Sequence, residues 1–270
     1  GISLSGIILF LSIGYFFSIL NQNKQGYRKL SDDEVKKIEL GIMDYIHNIC
    51  QKNNINYSLA YGTLLGAVRH NGFIPWDDDI DIALVRQEYD KLYKVIEKDN
   101  NNIYKVVSHI NNSNYPYPFY RVYDSRTVYE NGYINSDIEL GICVDVFPFD
   151  TYKDVSNEIR RLDTFRQLSV YTFYGIRDKN SMLSNVIRYL LVLVFRCIRV
   201  KTWNKKMNEL AKKEVKSEYI DYLMEKKNYV TKIDANSLGN IIDASFEGRQ
   251  YKIPEKYNHI LSTIYGNDYM

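Results

Sequence analysis

Asp77-Asp78-Asp79-Ile80-Asp81 is the densest run of carboxylates in the chain. From Asp79 through Leu84 polar or small residues alternate with apolar ones, the period of a strand with one buried face. That period predicts Asp79 and Asp81 on one face, with Ile80, Ile82 and Leu84 turned into a core. Two carboxylates held this close repel each other and raise one another's pKa, a cost that a bound divalent cation removes. Oxygen-only donors suit Mg²⁺ or Mn²⁺. The third acid expected at such a site is Asp145. In Ile142-Cys143-Val144-Asp145-Val146-Phe147 it is the single acid of an apolar strand, pointing with Cys143 and Phe147 away from Ile142, Val144 and Val146.

Two plainer readings compete. A solvated acidic loop is one, but the run is embedded between Ile74-Pro75-Trp76 and the apolar residues of the expected strand. A calcium loop is the other, since Asp77, Asp79, Asp81 and Glu88 match the ligand spacing of an EF-hand. Ile82 stands where that loop needs Gly for its sharp turn.

Upstream, Gly62-Thr63-Leu64-Leu65-Gly66 reads as a turn from a strand into a short helix, where free N–H groups and the positive end of the helix dipole suit a phosphate. Glycines at a turn are often purely structural, but Arg69 and His70 follow at once and the acid run soon after. Glycines, a fork-shaped cation and a metal site so close together describe a nucleotide-phosphate site. His70 serves equally as a structural hydrogen-bonding group. Arg121 and Arg126, on or beside a strand candidate, are either further contacts to the same anion or surface arginines.

The elements that must position these groups follow from pattern. Ser31-Asp32-Asp33-Glu34 carries a helix N-cap with Glu at the capping-box position, and Val35, Ile38, Ile42, Tyr45, Ile46 and Ile49 continue at helical spacing to about Asn53-Asn54. A second helix is predicted over 86–98. Strands are predicted at 104–107, 119–123 and 142–147, and the pattern after Pro148 turns helical. The apolar stretch 186–200, broken by Arg188, Arg196 and Arg199, reads as a core or interfacial helix.

The chain has 270 residues, 45% hydrophobic and 25% charged, a globular composition that excludes a disordered protein and allows one main domain. A formal net charge of +2 lacks the basic excess of a nonspecific nucleic-acid binder, so no nucleic-acid partner is expected. Cys50, Cys143 and Cys197 lie far apart without a C-x-x-C, which argues against a disulfide framework or zinc ribbon. Residues 2–20 contain no charge and are apolar all round, so 1–22 is expected to form a membrane helix, of the roughly 20 residues a bilayer requires, with a signal-peptide h-region and a buried core helix as the other readings. Lys24, Arg28 and Lys29 then place the remainder, 27–270, on the cytoplasmic side.

Tyr61-Gly62-Thr63-Leu64-Leu65-Gly66-Ala67-Val68-Arg69-His70-Asn71-Gly72-Phe73-Ile74-Pro75-Trp76-Asp77-Asp78-Asp79-Ile80-Asp81 resembles the signature of the LicD family of phosphotransferases. The resemblance continues in Phe119-Tyr120-Arg121-Val122-Tyr123-Asp124-Ser125-Arg126-Thr127, where the family often has Lys in place of Arg121. It includes Gly141-Ile142-Cys143-Val144-Asp145-Val146-Phe147-Pro148-Phe149-Asp150, and near the end Phe246-Glu247-Gly248, Ile253-Pro254-Glu255-Lys256-Tyr257 and Tyr265-Gly266-Asn267-Asp268-Tyr269-Met270. It covers 27–270 and leaves the hydrophobic N-terminus outside.

The resemblance implies an α/β fold of nucleotidyltransferase type, a mixed sheet flanked by helices; the sequence pattern adds a helical C-terminal part and an N-terminal hydrophobic helix. Asp79, Asp81 and Asp145 map onto its catalytic, metal-holding triad. Gly62, Thr63, Gly66, Arg69, His70, Trp76 and Arg121 become the expected donor-binding residues. The implied activity is Mg²⁺-dependent (or Mn²⁺-dependent) transfer of a phospho-alcohol from a CDP-activated donor, CDP-choline foremost, to a sugar hydroxyl of a cell-surface glycan by a membrane-associated enzyme. A nucleotidyltransferase moving the nucleoside monophosphate itself, and a non-catalytic membrane-anchored partner in glycan assembly, are the alternatives. Fold alone does not choose the substrate.

Overall fold

The computed structural model describes residues 27–128, 140–152, 157–174, 200–213, 217–222 and 232–270. Helix α1 spans Asp32–Asn53 and begins as the sequence predicts. The Ser31 hydroxyl accepts from the Glu34 amide at 3.3 Å while Glu34 Oε2 accepts from the Ser31 amide at 2.9 Å, a complete capping box. Asn54 ends it in the left-handed conformation. Ile42, Met43 and Ile46 line its fully buried face.

Strand β1 (Ser58–Leu59) leads through Ala60 into α2 (Tyr61–His70), and β2 (Asp81–Val85) into α3 (Arg86–Lys98). Strands β3 (Tyr104–Val107), β4 (Tyr120–Asp124) and β5 (Cys143–Tyr152) follow, then α4 (Asn157–Tyr174) and α5 (Val200–Ala211). Last come β6 (Tyr219–Asp221), β7 (Ile233–Asp234), a 3-10 turn (Ala235–Leu238), β8 (Ile241–Phe246), β9 (Arg249–Pro254) and α6 (Tyr257–Tyr265). The main sheet runs β1-β2-β5-β4-β3, with β6 and β7 added at the far end of β5. Only β2 and β5 pair in parallel, so the sheet is mixed. Val144 and Val146 of β5, Val122 of β4 and Ile82 of β2 are completely buried between the sheet and its helices.

Three sequence expectations are corrected. Strand β5 does not stop at Pro148 but runs to Tyr152, because Asp150 and Thr151 pair with β6 and the buried Asp150 carboxylate forms an ion pair with Arg86. The C-terminal part is not simply helical. Its β8–β9 hairpin packs against β1 and α2, and the turn residue Glu247 binds the Asn71–Phe73 loop through its amide (to Asn71 O, 2.8 Å) and its carboxylate (from the Phe73 amide, 3.1 Å).

The third correction concerns the membrane. Among the described residues no helix is long and apolar enough to cross a bilayer. Even the 22-residue α1 is amphipathic, with Asp32, Asp33 and Lys37 in solvent. The segments 1–22 and 186–199 lie outside the described residues. No described helix supports the expected N-terminal membrane helix, the membrane as a partner or a membrane-associated placement with a cytoplasmic catalytic domain, and none of these is carried further.

Candidate active site

The first turn of α2 and the start of β2 are built together. Tyr61 enters the helix at φ +47°, a left-handed conformation that costs a non-glycine residue about 1–2 kcal/mol. Its ring is seated edge-on against Phe147, at 5.3 Å between centroids, and tilted against Phe149. Two residues on, the Thr63 hydroxyl accepts from the Asp81 amide at 2.8 Å and lies 3.5 Å from the Asp79 carbonyl oxygen. Gly62 lies so close to Asp77 that an added Cβ would run into the carboxylate, and a Cβ on Gly66 would meet the carbonyl oxygen of Gly72. Both glycines are there for close approach. Asp79 precedes β2 rather than standing on it, so the expected strand begins later than its alternation suggested.

Parallel pairing places Asp81 beside Asp145, one interstrand spacing away, about 4.8 Å. The Asp145 amide also donates to Ile80 O at 3.0 Å. On the other side of β5, Arg121 is the antiparallel partner of Asp145, and its guanidinium grips both carboxylate oxygens, Nε to Oδ1 at 2.6 Å and Nη2 to Oδ2 at 2.8 Å. Carboxylate, carboxylate and guanidinium thus form a row across β2, β5 and β4. Burial would lower the Arg121 pKa, but the Asp145 charge outweighs it and the cation is held firmly. Its plane also stacks on Tyr117, at 4.1 Å to the ring centroid.

A cluster of aspartates lies in the loop before β2. Asp77, Asp78 and Asp79 each present a carboxylate oxygen, all within 4.8 Å of one another. Displacement of water by surrounding protein, then the charges of Asp77 and Asp145, raise the Asp79 pKa to about 6. Asp81 is pushed well above the usual carboxylate range by burial and by Asp79 and Asp145.

Glu39 of α1 is the acid that sequence reasoning missed. It is 4% exposed, and its Oε2 has no hydrogen-bond partner among the described residues. Burial, and then the charges of Asp79 and Asp78, push it up to about 9. A signal was available: Glu39 sits four residues after Val35 and three before Ile42, on the apolar stripe of the helix, where a charge is out of place.

The other expected donor-binding residues are dispersed. Arg69 and His70 close the last turn of α2, where Arg69 Nε donates to His70 Nε2 at 3.0 Å and Nη1 to the Tyr269 carbonyl at 2.9 Å, tying the C-terminus down. Trp76 stands in solvent next to the acidic loop, 79% exposed. Arg126 pairs with Asp124 at 2.6 Å and extends along the surface.

Glu39, Asp79 and Asp81 are oxygen donors with raised pKa values, and the buried Glu39 Oε2 has no partner among the described residues; such a set fits a small hard cation, which would favour the charged forms. The arrangement suits chemistry at a phosphate, whose charge such an ion would balance.

A family model described as "LicD/FKTN/FKRP, nucleotidyltransferase domain" matches residues 54–173, the span from β1 through the acid row and into α4. The lipopolysaccharide cholinephosphotransferase LicD of Haemophilus influenzae is 28% identical over 260 residues, covering 90% of this chain and 92% of that protein. Two uncharacterized rickettsial proteins match shorter stretches. That of Rickettsia prowazekii is 37% identical over 101 residues, 34% of this chain and 38% of its own, and that of Rickettsia typhi 39% over 93 residues, 31% and 30%.

Proposed function

The chain belongs to the LicD family and is a transferase of that family, and on that premise we propose that it moves a phospho-alcohol from a CDP-activated donor to a sugar hydroxyl of a surface glycan. Phosphocholine is the group we assign first, because the relative matched along nearly the whole chain is named a lipopolysaccharide cholinephosphotransferase. The observation that carries the reading is the register that puts Asp81 beside Asp145, with Asp79 just before them and the Gly62 turn packed against Asp77.

In this reading Asp79 and Asp81 hold Mg²⁺ or Mn²⁺. Bound there, the ion supplies charge neutralisation for the donor's pyrophosphate and its CMP leaving group. The chain's own groups do the rest. Thr63 fixes the backbone between Asp79 and Asp81, so the two carboxylates keep their relative position as substrate binds. Asp145, oriented by Arg121, shares the ion or takes the proton of the sugar hydroxyl as its oxygen bonds to the phosphorus carrying the alcohol and the bond to CMP breaks. Trp76 offers an exposed ring for the cytosine base. Arg69, which also donates to His70, contributes by anchoring the C-terminal segment through the Tyr269 carbonyl as well as by its charge.

Incubating the protein with Mg²⁺, CDP-choline and glycan acceptors, and following products by ³¹P NMR, tests the assignment. Released CMP with a new phosphodiester is expected. Released pyrophosphate would instead identify transfer of a nucleoside monophosphate, and near-normal turnover by Asp79→Asn would remove Asp79 from the mechanism.

A further inference from the structure

We propose that Glu39 is a ligand of the divalent cation, closing the acidic site from the α1 side. The inference rests on the metal-dependent reading above and extends it to a residue outside the matched span 54–173.

Helix α1 lies across β4 and β5, and Glu39 comes from its buried stripe, next to Leu40 and one turn before Met43. A carboxyl there carries a desolvation cost that an apolar residue of similar size would avoid. Buried polar atoms are nearly always hydrogen-bonded, yet Oε2 has no partner among the described residues. The charges that act on it are those of the site: Asp79 and Asp78 most strongly, then Lys36 one turn earlier on the same helix, then Asp145. Lys36 is drawn aside over the Phe73 ring, 4.9 Å from its centroid. Arg121 is committed to Asp145. Neither cation bonds to Glu39 among the described residues, and the acids whose charges act on it most strongly belong to the loop where Asp77, Asp78 and Asp79 bring carboxylate oxygens within 4.8 Å of one another. A divalent ion at that cluster would offer Glu39 Oε2 the partner it lacks among the described residues, adding a ligand from α1 to carboxylates that all come from one loop. Hard cations favour such an all-oxygen shell drawn from several elements.

Titration of Mn²⁺ into the full metal-free chain, with the free ion read by electron paramagnetic resonance, tests this without reference to turnover. Three proteins are compared: the natural sequence, Glu39→Gln and Asp79→Asn. Gln keeps the shape and hydrogen-bonding capacity of a neutral carboxyl but gives up the charge, so Glu39→Gln is expected to weaken Mn²⁺ binding by about tenfold or more, the scale on which metal sites respond to loss of supporting groups. Equal affinity for the natural chain and Glu39→Gln, with Asp79→Asn impaired, overturns the role of Glu39 and leaves the proposed function standing. Absence of Mn²⁺ binding by the natural chain overturns both. Should Glu39→Gln fail to fold, a crystal of the natural chain soaked in Mn²⁺ answers the question by anomalous scattering. A Glu39 oxygen about 2 Å from the ion supports ligation, and an ion held by the aspartates with Glu39 beyond direct contact overturns it.

Discussion

Arg121 and Asp145 face each other across the β4–β5 ladder and are joined by two parallel hydrogen bonds, with 13% and 15% of their side chains exposed. This geometry needs a planar fork. Arg121→Gln leaves Asp145 without a counter-charge beside Asp81, and breaking a buried pair from one side typically costs about 3–5 kcal/mol. A fall of that size in urea unfolding is expected. Arg121→Lys restores charge but not the two-pronged grip, so it should lose less stability. Equal stability of Arg121→Gln and the natural chain would contradict the pairing.

Thr63 joins α2 to the acid segment through the Asp81 amide. Thr63→Val removes the acceptor while keeping the shape, leaving a donor unsatisfied at a cost of about 1–3 kcal/mol. Because that donor belongs to Asp81, turnover should drop along with stability. Thr63→Ser should recover most of both in paired activity and denaturation measurements, and a Val variant as active as Ser would show that the bond has no positioning role.

Gly66 is backed by the Gly72 carbonyl. Gly66→Ala should push the turn at Asn71–Gly72 away from α2, with an overpacking cost of about 1–3 kcal/mol. Alanine ordinarily favours a helix interior, so the sign of the change in thermal midpoint separates packing from propensity. A raised midpoint would mean that the turn moves freely.

His109 is 8% exposed, and burial, then Lys201, Arg86 and Lys212, lower its pKa from 6.5 to about 4. Above pH 6.5 the imidazole is neutral folded or unfolded and costs nothing. As pH falls below that value the unfolded chain takes up a proton that the folded chain refuses, so stability drains away until the folded pKa is reached. The full effect is of the order of 3 kcal/mol. Comparing urea midpoints of the natural chain and His109→Gln between pH 7 and pH 4 isolates it: the gap should shift in favour of the variant toward acid. A pH-independent gap would place the imidazole in water.

Local elements were open to reading because their signals lie within a few residues. The capping box at Ser31–Glu34, the Asn53-Asn54 stop and the boundaries of helix 86–98 all match the structure, since caps and apolar periodicity act over a single turn. Of the site, the residue types of Asp79, Asp81, Asp145 and the Gly62 turn were legible as chemistry. The partners of Arg121 were not: guanidinium to a phosphate and guanidinium to a carboxylate look alike until the β4–β5 register is known.

Sequence alone established that acids, glycines and an apolar strand occur at spacings suited to phosphate chemistry, together with the family resemblance they carry. Tertiary structure decided which of those groups meet. The parallel pairing of β2 with β5 puts Asp81 beside Asp145, β4 supplies Arg121, and the packing of α1 across that sheet buries Glu39 where the charges of Asp79 and Asp78 act on it. Each of these is a contact between segments remote along the chain, set by how apolar faces stack. A periodicity read along one segment shows which residues share a face but carries no information about what will be laid against it.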